Sequence, residues 1–506
     1  MQSYDRLIEL SRERSMLVSV WEALGWDTRT GMPRGAVAQR AEQEAFLTRL
    51  NHRMATDPEI GRLLEMTVAN PNASSLSEVQ KRNLFLIRRG YDLLTKVPEE
   101  FAAELTRQIS IAYDAWLKAK AERDWKIFQP HLEKTFQMQV HYSDLLMGYL
   151  GLSDPYDVHL DGFERGMTSD YYAKMFKEIQ SGIVPMVERY AEASKDVQTD
   201  FLKRRVDKST QLRIVESLAE FLGYDIKSEH AMGKLGETEH PFSTGRYDDV
   251  RIALHYYEDD FFMPVLIFLH EAGHALYGMN LNREWNYEPV GQSESNGIHE
   301  SQSRFMENMV GRSPHFIRYF LPLLNKLAQN KFSDMSAEDF TRALNVVRPS
   351  PIRGGSDEVT YSLHLIIRFE IEKAMFANRI SVSEIPEIWK EKYDRYLGVT
   401  VQDDSMGALQ DMHWASGMFG YFPCYALGNV FSAQLAEAME RRIPDWKQQI
   451  EAGDSKAVMA WMKQNVHQKG SLYDALDLIK NVTGKEASAK PYLRYLKRKY
   501  AGLYGG

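Results

Sequence analysis

The chain has 506 residues, of which 44% are hydrophobic and 26% are charged, and its net charge at pH 7 is −8. This composition is typical of a globular protein with a large core, and the excess of acidic residues disfavours general binding to nucleic acid or anionic membranes. The single cysteine, Cys424, excludes an intrachain disulfide and suits a reducing compartment. The longest apolar run, residues 261–269, is too short to span a bilayer. We therefore expect a cytoplasmic protein.

Length alone would allow about three domains, but no linker in the sequence supports such a division. The most loop-like tract, residues 70–75, has the size of a helix connector, and the chain contains no low-complexity run or internal repeat. We therefore predict a single, mainly α-helical domain over residues 1–506, with a deep cleft.

Periodicity predicts several elements in chain order. Pro98 and the acidic Glu99 and Glu100 open a segment with apolar residues at helical spacing, and acids in a first turn favour a helix start. A second helix is predicted after Thr168. A strand is predicted over residues 249–257, which are rich in β-branched and aromatic side chains. A small sheet there would offer an edge to an extended peptide.

The most informative motif is His270-Glu271-Ala272-Gly273-His274, which follows the apolar run directly. Two histidines four positions apart on a helix face the same side and can bind one zinc ion, and the intervening glutamate reaches the metal-bound water. Two core histidines with a purely structural role would not require a glutamate beside them in an apolar helix. The motif therefore predicts a metal site suited to peptide hydrolysis, with Glu271 as the general base.

A catalytic zinc site of this type needs a third protein ligand and an open position for water. The best candidate is Glu300, on a second predicted helix that Ser295 or Asn296 could cap and Gly311 could end. Residue type leaves three rival ligands, which are Glu294, His299 and Glu307. Nitrogen and oxygen ligands of this kind accept Zn²⁺, Co²⁺ or Mn²⁺, and we expect Zn²⁺.

Four segments in order carry a recognisable pattern, namely residues 270–274, 299–304, 352–358 and 407–414. Together they resemble the carboxypeptidase Taq family of metallocarboxypeptidases, and further matches extend to both ends of the chain. The resemblance implies a large helical, two-lobed peptidase fold with a deep active-site cleft and a small β-sheet beside the metal helix. The N-terminal helices, up to about residue 75, would form a lid over the cleft. Ala253 and Ser356 depart from the family pattern, which usually has threonine and alanine there.

The resemblance also implies roles for individual residues. Tyr421, with His413 close by, would stabilise the charge on the carbonyl oxygen. Arg353 would bind the carboxylate at the C-terminus of the substrate, because a planar guanidinium can hold a carboxylate at two points. His240 and Gln410 would line the same subsite, and Arg251 is a further substrate-binding candidate. Arg251, Arg304 and Arg348 compete with Arg353 as the carboxylate anchor. The expected partners are peptide substrates of broad specificity and a second copy of the chain in a homodimer.

Three functions remain open from the residues. The first is a metallocarboxypeptidase that releases single C-terminal residues. The second is an oligopeptidase or dipeptidyl carboxypeptidase with the same metal centre. The third is a non-catalytic helical binding module with a structural metal. The third would require a fourth ligand, and structural zinc sites are usually rich in thiolates, which this chain lacks.

Overall fold

The computed structural model describes residues 2–505, in which there are twenty α-helices and three β-strands. The helices that precede the sheet are α1 (Gln2–Thr30), α2 (Val37–Ala55), α3 (Pro58–Val68), α4 (Glu78–Lys96), α5 (Glu99–Glu122), α6 (Trp125–Leu150), α7 (Pro155–Phe163), α8 (Ser169–Ser194) and α9 (Lys208–Leu222). Within residues 2–505, no helix combines the length and apolarity that crossing a bilayer requires.

The helices that follow the sheet are α10 (Phe262–Met279), α11 (Asn296–Arg304), α12 (Pro314–Leu327), α13 (Ala337–Leu344), α14 (Tyr361–Phe376), α15 (Ile385–Leu397), α16 (Phe422–Glu440), α17 (Trp446–Glu451), α18 (Lys456–Asn465), α19 (Ala475–Thr483) and α20 (Lys490–Tyr504). The predicted mainly α class is therefore confirmed. The predicted helix starts hold as well: α5 begins after Pro98, and the side chain of Thr168 caps α8 by accepting from the backbone N–H of Tyr171. Residues 70–75 do connect two helices, α3 and α4.

The three strands form one small sheet in the order β1-β3-β2, where β1 is Gly233–Glu237, β2 is Phe242–Arg246 and β3 is Asp249–Leu254. The central strand β3 pairs in parallel with β1 and antiparallel with β2. The predicted strand over 249–257 therefore ends three residues early, at Leu254. The reason is that β1 ends opposite Leu254 and β2 begins opposite Ala253, so residues 255–257 face no strand.

The sheet lies directly against α10, the helix that carries the metal motif. The backbone N–H of Tyr247, in the turn between β2 and β3, donates to the carbonyl of Gly278 near the end of α10. A methyl group on Gly278 would lie 3.0 Å from the carbonyl oxygen of Gly245 in β2. The predicted sheet beside the metal helix is confirmed.

Helices α10, α11 and α16 pack at backbone contact in the main core. A Cβ atom on Gly273 of α10 would lie 2.4 Å from the carbonyl oxygen of Gln302 in α11. On the other side of α11, a Cβ atom on Gly428 of α16 would lie 2.3 Å from Cγ of Glu300. No side chain larger than hydrogen fits at these two positions, so three helices meet around the candidate metal ligands.

The N-terminal helices have small apolar clusters of their own. One cluster joins Tyr4 and Ile8 to Leu76, and another joins Leu7 to α3; both are separate from the main core. The middle of α1 contributes no buried residue between Ile8 and Trp26. Glu22 in this stretch forms an ion pair with Arg246 of β2 at 2.9 Å, and the buried Trp26 packs against Phe242 of β2 with ring centroids 5.6 Å apart. The stretch of α1 between Ile8 and Trp26 is thus less tightly packed than the two ends of the helix.

Candidate active site

One side of α10 opens out of the core. Most of the helix is buried, and its partly exposed residues are Met263, Ile267, His270, Glu271 and His274. Their spacing of four, three, one and three positions gives a single stripe along an α-helix. The side chains of His270, Glu271 and His274 therefore face the same opening at the protein surface.

The structure brings the three predicted metal ligands together. His270, His274 and Glu300 each offer a ligand atom, and these atoms all lie within 4.8 Å of one another. Oε2 of Glu300 lies 3.5 Å from Nε2 of His274 and 3.9 Å from Nε2 of His270. Glu300 comes from α11, whose start is capped by the predicted Ser295 side chain. Two imidazole nitrogens and a carboxylate suit a divalent transition metal.

The other ring nitrogens of the two histidines have partners that orient the rings. Nδ1 of His270 bonds Oε2 of Glu307 at 2.9 Å, and Nδ1 of His274 bonds Nδ1 of His299 at 2.6 Å. Burial, and after it the neighbouring His274, lowers the pKa of His299 far below its usual value. The ring of His299 is therefore neutral, and its Nδ1 can accept a hydrogen bond from His274. With Nδ1 engaged, both Nε2 atoms stay available to a metal ion.

This arrangement separates the predicted ligand from its rivals. Glu307 and His299 lie behind the histidine rings as hydrogen-bond partners, away from the Nε2 atoms. Glu294 instead pairs with Arg165 at 3.5 Å and is well exposed. Among residues 2–505, Glu300 is the one acidic residue grouped with both histidines.

A buried arginine holds the two carboxylates in place. Nε of Arg304 donates to Oε1 of Glu300 at 2.7 Å, and its Nη1 donates to Oε2 of Glu307 at 3.1 Å. Burial favours the neutral form of both carboxyls, but Arg304 and His270 outweigh it: the pKa of Glu300 is held far below its usual range and that of Glu307 falls to about 2. Both carboxylates are therefore charged at pH 7, which favours a cation at the site.

The helix that was predicted to carry Glu300 changes from α to π winding after Arg304. The sequence predicts one helix as far as Gly311, and the segment does end there. Phe305–Gly311 is a π-helix that continues α11, so the predicted helix is present and its second half has the wider π winding. At its end, Gly311 lies so close to Leu269 of α10 that an added Cβ would be 2.6 Å from its Cδ1. Segments of π-helix are rare and are frequent at functional sites.

Arg353 is held by a carboxylate on a neighbouring loop. Its Nε and Nη2 donate to Oδ1 of Asp411 at 3.1 and 2.8 Å, and its guanidinium lies 5.6 Å from the ring centroid of Tyr425. Among residues 2–505, Nη1 of Arg353 has no hydrogen-bond acceptor. That edge of the guanidinium could receive an external carboxylate.

Gln410 is engaged with the backbone around Arg353. Its Oε1 accepts from the backbone N–H of Arg353 at 2.8 Å, and its Nε2 donates to the carbonyls of Pro351 and Met406 at 2.9 and 3.0 Å. The amide therefore ties two loops together. This geometry gives Gln410 a supporting role for the arginine and leaves its amide little capacity for substrate.

Tyr421 and His413 lie together at the start of α16. Their rings stack with centroids 5.4 Å apart, and Tyr421 also packs edge-on against Phe163 at 5.0 Å. Burial, and to a lesser extent the charge of Glu300, raises the pKa of Tyr421, so the phenol keeps its proton at pH 7. Burial lowers the pKa of His413 to about 4, which makes its ring neutral.

The remaining two predicted substrate residues lie at the sheet. His240 is exposed in the loop between β1 and β2. Arg251 in β3 forms two hydrogen bonds of 2.6 Å with Asp249 and lines a cavity of about 310 Å³ beneath α1, together with Glu22. Within residues 2–505, neither side chain hydrogen-bonds to the three candidate ligands or to Arg353, and Arg251 pairs with Asp249 instead.

Comparison with known proteins decides the family. The sequence model of the carboxypeptidase Taq (M32) metallopeptidases matches residues 6–500. This chain belongs to that family. Among curated M32 relatives, Thermostable carboxypeptidase 1 of Thermus thermophilus is 37% identical over 99% of both chains. Carboxypeptidase 1 of Bacillus subtilis is also 37% identical, over 95% of this chain and 94% of the relative.

Solved M32 structures have the same fold. The M32 carboxypeptidase from Deinococcus radiodurans matches with a TM-score of 0.95 and 33% identity, over 100% of both chains. The carboxypeptidase of Pyrococcus furiosus matches with a TM-score of 0.94 and 31% identity, over 99% of both chains. The chain is therefore a metallocarboxypeptidase, a hydrolase whose family implies a divalent metal and peptide substrates.

Sequence reasoning missed three residues that support this site. Asp411 lies inside one of the recognised segments, but its role as the partner of Arg353 depends on a contact across 58 positions. Arg368 and Glu372 lie on the buried side of α14, and the helix also carries the partly exposed Glu370 and Lys373, so polarity alone does not mark them. The signal that could have found them is the spacing of four positions that His364, Arg368 and Glu372 share.

The contact of Glu307 with His270 leads to a prediction about metal affinity. Glu307→Gln removes the charged acceptor behind the ring and its pairing with Arg304, so we expect the dissociation constant for Zn²⁺ to rise by about 10- to 100-fold. Competition with a coloured chelator measures this constant. The matched control is Glu288→Gln, whose side chain is similarly exposed (13% against 15%) and also pairs with an arginine, Arg12. Equal affinities for the two variants would contradict the prediction.

Proposed function

We propose that this metallocarboxypeptidase releases single residues, with broad specificity, from the C-termini of short peptides. The observation that carries the proposal is the cluster of His270, His274 and Glu300 with Glu271 on the same open stripe of α10. We propose Zn²⁺ as the bound ion, with Co²⁺ or Mn²⁺ as alternatives, because the ligand atoms are nitrogen and oxygen.

The chain supplies both the proton carrier and an oxyanion donor. A bound divalent metal supplies Lewis acidity and lowers the pKa of water at the site. Glu271 takes the proton from the attacking water and returns it to the leaving amine. The hydroxyl of Tyr421 donates a hydrogen bond to the carbonyl oxygen as negative charge develops there. The neutral ring of His413 stacks on Tyr421 and keeps its orientation.

The role of Glu271 can be measured by removing its charge. Glu271→Gln keeps the size of the side chain and leaves the three metal ligands intact, so metal content should stay at the wild-type level. Without a base, kcat should fall by about 10²- to 10⁴-fold. Elemental analysis and a peptide-hydrolysis assay on the same sample give both values. A variant with normal kcat would remove Glu271 from this role.

Arg353 is the proposed anchor for the C-terminal carboxylate. Asp411 holds one edge of its guanidinium, and Nη1 is left for the substrate. Arg368 also pairs with Asp411, so this buried acid keeps a partner when Arg353 is removed. His240 and Arg251 remain proposed contacts farther along the peptide, and Gln410 acts through the Arg353 loop.

Arg353→Ala should reduce kcat/KM for a peptide with a free C-terminus by about 10- to 100-fold, because a charge-assisted hydrogen-bond pair is lost. Residual cleavage of the matching C-terminal amide should change far less. Arg204→Ala is the control, since Arg204 also donates two hydrogen bonds to one acid, Asp334, and has no proposed role in the site. If Arg353→Ala lowers kcat/KM by the same factor for the peptide with a free C-terminus and for its amide, Arg353 is not the anchor.

The experiment that tests the function is mass spectrometry of a long peptide with a blocked N-terminus, sampled during incubation with metal-loaded enzyme. A carboxypeptidase produces a ladder of products that differ by one residue. The alternative oligopeptidase produces internal fragments, and a dipeptidyl carboxypeptidase produces steps of two residues. The non-catalytic binding module is not retained, because the chain belongs to a family of hydrolases.

We further propose that α1, α2 and α3 act as a lid that admits peptides and keeps folded proteins out. Their separate small clusters and the cavity of about 310 Å³ beneath α1 support this proposal, since weakly packed elements move most readily. The same assay with a folded protein that has a buried C-terminus should yield no ladder. A ladder from such a protein would contradict the lid.

We also propose that the enzyme works in the cytoplasm as a homodimer. The lone Cys424 is buried and free, which suits a reducing compartment. The homodimer rests on the family resemblance, and light scattering should give a mass near twice 58.4 kDa. A mass of one chain at micromolar concentration would contradict it.

A further inference from the structure

Helix α14 carries three titratable side chains in the middle of the core. His364, Arg368 and Glu372 follow one another at intervals of four residues, and all three are fully buried. They form one ridge along the helix, since residues four apart lie on the same side. Burying charged groups costs free energy unless each of them is paired. The hydrogen-bond partners of these three residues therefore show which parts of the structure the ridge keeps in place.

Arg368, the central residue of the α14 ridge, donates to Asp411, the carboxylate that also pairs with Arg353. Nε of Arg368 donates to Oδ2 of Asp411 at 2.8 Å, while Nη2 of Arg353 donates to Oδ1 at 2.8 Å. Asp411 therefore bridges the two arginines: Oδ1 accepts the shorter bonds from Arg353, and Oδ2 accepts from Arg368 and, at 3.3 Å, from Nε of Arg353. Arg368 is itself fixed, because its Nη1 donates to the carbonyl of His364 at 2.7 Å and its guanidinium stacks on Trp389 at 4.5 Å.

The end of the ridge holds the turn from which Tyr421 emerges. Oε2 of Glu372 accepts from the backbone N–H of Gly420 at 2.7 Å and from the hydroxyl of Tyr156 at 2.8 Å. Its Oε1 accepts from Nε1 of Trp414 at 2.7 Å. Gly420 has φ of +81°, and a Cβ atom there would lie 2.8 Å from the carbonyl carbon of His159. Glu372 therefore binds a turn that has no room to shift towards α7.

We propose that the α14 ridge positions the two halves of the substrate site separately: Arg368 orients Arg353 through Asp411, and Glu372 orients Tyr421 through the Gly420 turn. This inference rests on the proposed function, in which Arg353 binds the C-terminal carboxylate and Tyr421 donates to the carbonyl oxygen. Arg368 and Glu372 are positioning residues, since each acts through another group.

The ridge has two arms, one that acts through Arg353 and one that acts through Tyr421, and these should affect different kinetic constants. Arg353 contacts the carboxylate in the ground state as well as in the transition state, so disturbing it weakens substrate binding and raises KM. Tyr421 acts on charge that develops only during the reaction, so displacing it lowers kcat. A merely structural role for the ridge would instead lower stability or the fraction of active enzyme and leave KM unchanged.

Glu372→Gln is a sharp test because the carboxamide cannot satisfy all of the donors. If its oxygen faces Gly420 and Tyr156, its NH₂ group faces the Nε1–H of Trp414. If the amide turns round, the NH₂ group faces the backbone N–H of Gly420. In either orientation one buried N–H loses its acceptor, and the loop that carries Tyr421 shifts.

Arg368→Lys keeps the positive charge but replaces the two-point contact with a single ammonium group, so Asp411 is no longer fixed. We expect KM for a peptide with a free C-terminus to rise about tenfold, with kcat within about twofold and little change for the C-terminal amide. For Glu372→Gln we expect kcat to fall about 10²-fold, with KM within about twofold. Bound metal per chain should equal the wild-type value in both variants.

The control is Asp161→Asn, which changes another buried acid that pairs with an arginine, Arg89, into its isosteric amide. It should lower the melting temperature without changing kcat or KM. If Arg368→Lys does not fold, Asp411→Asn tests the same arm. If Glu372→Gln does not fold, Tyr156→Phe, which removes one donor of Glu372, should still lower kcat severalfold.

Two outcomes would overturn the inference. One is that both variants change the same kinetic constant; the other is that they lower stability alone, as the control does. Failure of the proposed function is a distinct result, because wild-type enzyme would then release no C-terminal residues. If wild-type enzyme is active but the two variants do not affect KM and kcat separately, only the positioning role is rejected.

Discussion

The candidate site depends on one steric constraint, the backbone contact of α10, α11 and α16. Gly273 lets α11 approach the metal-motif helix, and Gly428 lets α16 approach the other side of α11. Glu300 is therefore held between a helix that supplies two histidines and a helix that begins directly after Tyr421. Because close-packed cores shift little, this packing sets the distances among the candidate metal ligands and the proposed oxyanion donor.

Electrostatics then give the packed site its preference for a cation. Arg304 pairs with both charged carboxylates, Glu300 and Glu307, Arg312 also lies 3.8 Å from Glu307, and His299 stays neutral behind His274. The charged Glu300 beside the Nε2 atoms of the two histidines favours a cation there. A second unit, Arg353 and Arg368 with Asp411 between them, has two positive charges against one negative charge. In the proposed function, the metal cluster and this unit form the cation-binding and anion-binding parts of the substrate site.

The sequence predicted local features of this site better than long-range ones. The spacing of His270 and His274 and the type of Glu300 were sufficient for the ligand cluster. Their rivals could be separated only in space, where Glu307 and His299 lie behind the rings. The π-helical winding after Arg304 leaves no clear mark in residue periodicity. The α14 ridge was not predicted for a related reason: its polar residues lie on the buried side of a helix that also has polar residues on its partly exposed side, and Asp411 and Trp414 lie more than forty positions away.

The separate apolar clusters of the N-terminal helices have a consequence for how the protein unfolds. Segments with their own small cores open in local steps whose free energy is below that of global unfolding. Helices α1 to α3 should then exchange their amide hydrogens with solvent sooner than α10, α11 and α16, which are locked by backbone contact. The peptidase would gain access for substrates from its least stable part while its catalytic geometry is kept by its most stable part.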